Sequence, residues 1–493
     1  MATKHAPAAK PASPGPAQDK RPAIVWLRQD LRLADNPALA AAVKSGRPLL
    51  ILYVLDDETP GKWRMGGASR WWLHKSLEAL QKDIVKRGGR LILRRGRADK
   101  VIARLAEETS AAALYWCRLY DPASIARDKA LKASLAAAGI TVESFNGALL
   151  HEPWEVATGA GGPFKVFTPY WRAARALPVG VGAPTPKALP AFSAPIASDA
   201  LADWALPPTR PNWAARFETA WRPGEAGAHA ALQHFLDEAL QAYPDARNRP
   251  NKSGTSRLSP HLHFGEISPR QILAASERAG PSAALDKFHA ELGWREFSAH
   301  LLFHWPELPE TNWKPAFDDF PWVKNEAGFR AWTKGQTGYP IVDAGMRELW
   351  TTGWMHNRVR MIAASFLIKD LLIDWRRGQD WFWDTLVDAD LANNAASWQW
   401  VAGSGADASP YFRIFNPTKQ GETYDPDGAY IRQWVPELAR LPDAFMHRPH
   451  EADPAILRAA GVKVGETYPL PIVDHAVART RALDAYAAIK ASA

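Results

Sequence analysis

Apolar residues follow two different rhythms along this chain. In the first part, short unbroken apolar runs at residues 24–26, 49–55, 91–93 and 112–116 alternate with longer segments whose apolar positions fall three and four apart. The short runs predict strands buried on both faces, and the segments between them, at 36–43, about 69–86 and about 99–108, predict helices. The first of these helices opens with Asn36-Pro37, where an Asn acceptor can satisfy a free N–H and Pro at the first position has no N–H to lose. Strands alternating with helices predict an α/β fold with a parallel, Rossmann-like sheet. Between 143 and 225 the rhythm breaks into prolines and scattered glycines, a long connector. After it, helical periodicity dominates at 228–242, 269–279, 284–304, 341–352 and 356–374, predicting an all-helical second domain over 226–493. No internal repeat of fixed period occurs, which argues against solenoids and propellers.

Composition narrows the function classes. At 493 residues the chain exceeds a single core, and its 47% hydrophobic and 23% charged residues exclude a disordered protein. No apolar stretch approaches the ~18 residues of a membrane span, and no secretory leader is evident, so a cytoplasmic protein is expected. The single Cys117 excludes an internal disulfide framework. Residues 1–22 are Ala, Pro and Lys with few large apolar side chains and read as a disordered basic tail. It supplies part of the net charge of +8, and the remainder still favours an anionic partner such as nucleic acid. Of 23 tryptophans, 13 lie between Trp294 and Trp434, a density suited to stacking flat molecules.

Four segments concentrate candidate chemistry. From Arg247 to Ser259, including Thr255, Ser256, Arg257 and Leu258, hydroxyls and cations gather beside a turn. They suit either a pyrophosphate cradle or a solvated basic loop. Walker and Gly-x-Gly-x-x-Gly loops are both missing, so a nucleotide has to bind in the helical half. Glu291 and Arg295 stand four apart with Trp294 beside them, either a surface ion pair or part of a stacking site. Asn357 and Met361 share a helical face, with Arg358 and Arg360 among their neighbours. Asp388 and Asp390, followed by Asn394, suit ribose hydroxyls or a metal, and a metal needs more ligands than these. Isolated His261 and His263 and the lack of His-Glu-x-x-His or Gly-x-Ser-x-Gly argue against a metal centre and a hydrolase.

Together these segments resemble the photolyase and cryptochrome family, in particular bacterial photolyases of cyclobutane pyrimidine dimers (CPDs) and the class III branch near plant cryptochromes. The resemblance begins at Trp26, Leu27, Arg28, Gln29, Asp30, Leu31, Arg32 and Leu33 with Asp35 and Asn36, and continues through 66–72. It then covers almost all of 243–436, including 337–343, 353–361 and 411–417. It implies an α/β antenna domain (23–142), a linker (143–225) and a helical domain holding FAD. The implied flavin contacts are Tyr243, Thr255, Ser256, Arg257, Leu258, Ser259, Arg295, Asp388, Ala389 and Asp390, with Arg360 paired to Asp388 and Asn394 at flavin N5. The implied lesion contacts are Glu291, Trp294, Asn357, Met361 and Trp400, with Arg247, Arg358 and Gln420 on the DNA backbone. Asn357 and Met361 stand where 6-4 photolyases carry histidines. Trp398, Trp375 and Trp322 match the electron-transfer triad, and Trp381 and Trp383 offer a second path.

The same resemblance implies a deoxyribodipyrimidine photolyase, a carbon–carbon lyase acting as a monomer on UV-damaged DNA in the nucleoid, with the base extruded for the chemistry. The alternative is a blue-light photoreceptor without repair. An antenna is implied too, methenyltetrahydrofolate ahead of a deazaflavin, although Tyr120, Asp121, Pro122, Ala123 and Ser124 lack the Asn and Glu of folate-binding relatives.

Overall fold

The computed structural model describes residues 20–408 and 412–491; the basic tail, apart from its last residues, and Tyr411 of the 411–417 segment lie outside them. Five strands, β1 (Ala23–Leu27), β2 (Leu49–Leu55), β3 (Leu91–Arg95), β4 (Ala113–Cys117) and β5 (Thr141–Phe145), form one sheet in the order β3-β2-β1-β4-β5. Every pairing is parallel, from Ala23 opposite Leu49 to Cys117 opposite Phe145. Helices α1 (Pro37–Lys44), α2 (Gly67–Val85), α3 (Ala98–Glu108) and α4 (Pro122–Ala137) connect them. Asn36 caps α1 as its sequence predicts, accepting from the Leu39 N–H at 3.0 Å. The strand β5 and the helix α4 escape the periodicity reading. Their reasons differ: β5 is half-exposed with no unbroken apolar run, and α4 is rich in Ala and weakly amphipathic.

The connector carries its own helix, α5 (Phe167–Ala176). Beyond it the helices that position the site are α6 (Ala283–His304), α7 (Pro340–Thr352), α8 (Asn357–Ser365), α9 (Trp375–Thr385) and α10 (Leu391–Ala402). The predicted helix at 356–374 is α8 followed by a π-helical turn, Phe366–Asp370. Among the described residues no helix is long and apolar enough to cross a membrane.

The two halves are bolted together through the segment that carries the first family resemblance. Arg32 is fully buried and donates to the Asp35, Gly147 and Gly265 carbonyls, the last at 2.9 Å. The Leu31 N–H donates to Phe264 O, and Leu33 N–H to Glu225. Trp72 Nε1 reaches Glu266 at 3.1 Å. At Gly265 (φ +65°) a Cβ would collide with the Gln29 carbonyl, so the close approach of the halves requires glycine.

Candidate active site

A cavity of about 650 Å³ opens among α6, α8, α10 and the loop before Ser259. It gathers most of the residues singled out from the sequence: Tyr243, Ser256, Leu258, Ser259, Arg295, Arg360, Asp388, Ala389, Asp390 and Asn394 on one hand, Arg247, Glu291, Trp294, Asn357, Arg358, Met361 and Trp400 on the other. Its apolar lining includes Leu262, Phe288, Phe382 and Trp398, a mixture typical of ligand clefts in which a few polar groups fix orientation.

Arg360 Nη2 donates to both oxygens of Asp388, at 3.1 and 2.9 Å, and its Nε donates to the Met355 carbonyl. Asp390 caps α10, accepting from the Asn393 N–H at 2.9 Å. Burial pushes its carboxyl up, but the neighbouring His263 and Arg295 together with the cap bond outweigh this and hold it at about 2. His263 Nδ1 lies 3.6 Å from Asp390, too long for a hydrogen bond. Asn394 is buried, lines the cavity and donates to the Gln379 carbonyl at 3.0 Å.

Glu291 does not pair with Arg295. It takes Arg247 at 2.6 Å, while Arg295 turns to the Ala148 carbonyl and Glu296, so the surface pair allowed by the four-residue spacing is replaced by two separate links. Arg358 donates to Asn248 at 2.7 Å and lies over Tyr424. At the head of α8, burial and the nearby Arg360, Arg358 and Arg247 hold the His356 imidazole down at about 4. Its Nδ1 is therefore free to accept from the Arg358 N–H.

Seven expected residues lie outside the cavity lining. Thr255 stands beside Ser256 on the same loop. Arg257 has φ +52° and places its guanidinium over Trp221 and Trp354, at 4.1 and 5.0 Å, instead of in the cavity. Gln420 lies on the helix Pro417–Tyr424. Trp375 and Trp322 are set back from Trp398 in the same apolar cluster; Trp375 is fully buried with Nε1 on Asn312, and Trp322 is half-buried against Phe320. Gly378, on the helix of Trp375, admits the Trp398 ring where a Cβ would collide. Trp381 and Trp383 diverge: Trp381 stacks on the exposed Trp350 at 6.1 Å, and Trp383 meets Trp63 edge-on.

Two buried acids, missed in the sequence, brace this site. Glu348 accepts from the Tyr430 hydroxyl at 2.6 Å and from the His356 N–H, and Glu296 accepts from the Leu150 N–H at 2.8 Å. Burial raises both from 4.5 to about 7. Between these values the folded chain binds more protons than the unfolded one, so unfolding free energy should fall as pH rises from about 5 to 8. Each acid contributes on the order of 3 kcal/mol to that fall. Denaturant titrations across this range check it, and Glu348→Gln is expected to flatten the profile.

A second cavity, of about 360 Å³, lies between the halves and shares His263, Arg295 and the 389–390 and 393 wall with the first. Arg28 and Arg127 flank Trp26 at 4.5 and 4.7 Å, and both Trp26 Nε1 and Arg28 Nε lack a partner. Tyr120 and Asp121 line it, but their polar atoms are engaged, the hydroxyl on Glu152 and the carboxylate as the cap of α4. Among the described residues no group of three His, Cys, Asp or Glu is placed to hold a metal.

Comparisons with known proteins accord with this geometry. A family model described as DNA photolyase matches residues 23–191, and one described as the FAD binding domain of DNA photolyase matches 288–488. A deoxyribodipyrimidine photo-lyase of Agrobacterium fabrum is 54% identical, covering 95% of this chain and 98% of that protein. Cryptochrome-1 of Arabidopsis thaliana is 41% identical, covering 92% of this chain and 69% of that one. The crystal structure of a bacterial class III photolyase from Agrobacterium tumefaciens superimposes with a TM-score of 0.93 at 53% identity, over 97% of this chain and 100% of that one. With a parallel-sheet half, a helical half and one cleft between α6, α8 and α10, the chain belongs to the photolyase and cryptochrome family.

Proposed function

We propose that this protein is a deoxyribodipyrimidine photolyase that holds FAD and splits CPDs in UV-damaged DNA. The observation that carries the reading is that one cavity joins the flavin-type set, Arg360, Asp388, Asp390, Asn394 and the Ser256–Ser259 hydroxyls, to the lesion-type set, Glu291, Trp294, Asn357, Met361 and Trp400. FAD fits the donors present: hydroxyls and Arg295 suit its phosphates, Asp390 its ribose, and the Arg360–Asp388 pair with Asn394 the polar edge of its ring. When bound and reduced, FAD supplies the light-driven electron that opens the cyclobutane ring.

The chain's own residues do the rest. Trp294 and Trp400 offer ring faces to an extruded dimer, and Asn357 and Met361 give it one polar and one apolar contact. Arg247 holds Glu291 until a DNA phosphate draws the guanidinium away, which frees the carboxylate for the pyrimidine edge. Arg358 and Gln420 serve the DNA backbone.

Trp398, Trp375 and Trp322 form the reductive relay, running from the cavity wall through a buried ring to a half-buried one. Trp375→Phe is expected to leave flavin bound and cut its photoreduction to a small fraction, measured as loss of oxidised flavin absorbance under blue light. A residue of activity that survives Trp375→Phe and disappears with added Trp381→Phe would assign the Trp381–Trp350 stack as a second path. The smaller cavity is the antenna site, where the rings of Trp26, Trp63 and Trp383 suit a flat chromophore, methenyltetrahydrofolate ahead of a deazaflavin.

The deciding experiment is repair of an oligothymidine carrying CPDs by photoreduced protein, in light against dark. Light-dependent recovery of thymine absorbance is the expected result. No recovery, with FAD bound and reducible, would overturn the reading in favour of a photoreceptor.

A further inference from the structure

The connector packs a ring behind one wall residue of the lesion pocket, Trp294. Phe167, the first residue of α5, is 9% exposed and stacks on Trp294 with centroids 3.8 Å apart and planes within 8°. Its position is fixed from several directions. Its N–H donates to Asp407, itself part of the cavity wall, at 3.1 Å. Trp171, one turn later, lies nearly parallel to Phe167 at 6.5 Å and 10°. The Trp171 ring presses against the backbone of α6, where a Cβ on Gly293 would come within 2.6 Å of it. Phe297 meets both Phe167 and Trp294 edge-on, at 6.0 and 5.9 Å.

One face of Trp294 is in van der Waals contact with a parallel ring, while the half-buried side chain also lines the cavity. We propose that Phe167 is a positioning residue: by covering one face of Trp294 it leaves a single face for the extruded pyrimidine and holds the indole in its stacking plane before DNA arrives. Pre-orientation removes the rotamer entropy that Trp294 would otherwise lose on binding. This rests on the reading of Trp294 as a lesion-stacking ring. It gives the connector a part in damage recognition as well as in joining the halves.

The test is equilibrium binding of two oligonucleotides, one carrying a CPD and one undamaged, to Phe167→Leu, Phe167→Tyr, Trp294→Ala and the Phe167→Leu/Trp294→Ala double variant, with flavin content as the check of integrity. Phe167→Leu is expected to weaken CPD binding by about fivefold and leave undamaged DNA within about twofold, with Phe167→Tyr restoring the affinity. In the Trp294→Ala background, Phe167→Leu should add less than about twofold. Equal losses on both oligonucleotides, or a full loss persisting without Trp294, would overturn the proposal. An unchanged CPD preference in Trp294→Ala would sink the stacking reading and this proposal with it, whereas a deficit there with Phe167→Leu unaffected would sink the proposal alone. If Phe167→Leu loses its flavin, Phe167→Met is held to the same comparisons.

Discussion

Asp388→Ala is expected to yield a folded protein that purifies with little or no flavin. Asp388 is 8% exposed, and its two oxygens both bind Arg360 inside the larger cavity. Removing the carboxylate strands the guanidinium against the Met355 carbonyl and the more distant Trp354 ring. Breaking one side of a buried ion pair costs about 3–5 kcal/mol. Charged to flavin binding at about 1.4 kcal/mol per decade, that is roughly two to four orders of magnitude in affinity. Asp388→Asn keeps the shape and one acceptor and should fall between. Flavin absorbance per protein, and the shift in melting temperature on adding FAD, measure both. Full flavin occupancy in Asp388→Ala would reduce the pair to a structural brace.

The second large effect concerns damage recognition. Trp294→Ala and Trp400→Ala are each expected to weaken binding of CPD-containing DNA by about tenfold, and the double variant by about a hundredfold, since stacking on an aromatic ring is worth ~1–3 kcal/mol per base. On the proposal that Arg247 and Arg358 serve the DNA backbone, undamaged DNA should bind as before with the same salt dependence. Filter binding or fluorescence anisotropy at two ionic strengths separates these terms. A matching loss on undamaged DNA would mean that the two rings support the fold of the cleft and do not read the lesion.

Much of this arrangement is legible in the residues because it rests on local rules. Asn36-Pro37 encodes a cap that forms, and the apolar runs 49–55 and 112–116 fall on strands. Asn357 and Met361 share a face that lines the cavity. What escapes depends on distant partners. Helical spacing offers Arg295 to Glu291, but Arg247, 44 positions earlier in the chain, takes the carboxylate. Arg257 sits in the right loop, yet a left-handed backbone turns it onto two tryptophans. Phe167 and Glu348 carry no local signal, since one matters through a ring 127 positions away and the other through Tyr430 and His356.

The bolts around Arg32 bear on how the chain can be divided. Two family models match separate stretches, which invites cutting between them. Yet one guanidinium holds carbonyls from the sheet half, the connector and the helical half at once, and Gly265 is shaped to a carbonyl of the opposite half. A helical half expressed alone would lose Trp72 from the buried Glu266 carboxylate, and one that keeps the connector would leave Glu225 without the backbone donors of Leu33 and Ala34. The two halves thus form one cooperative unit, and the smallest portable piece of this protein is nearly the whole of it.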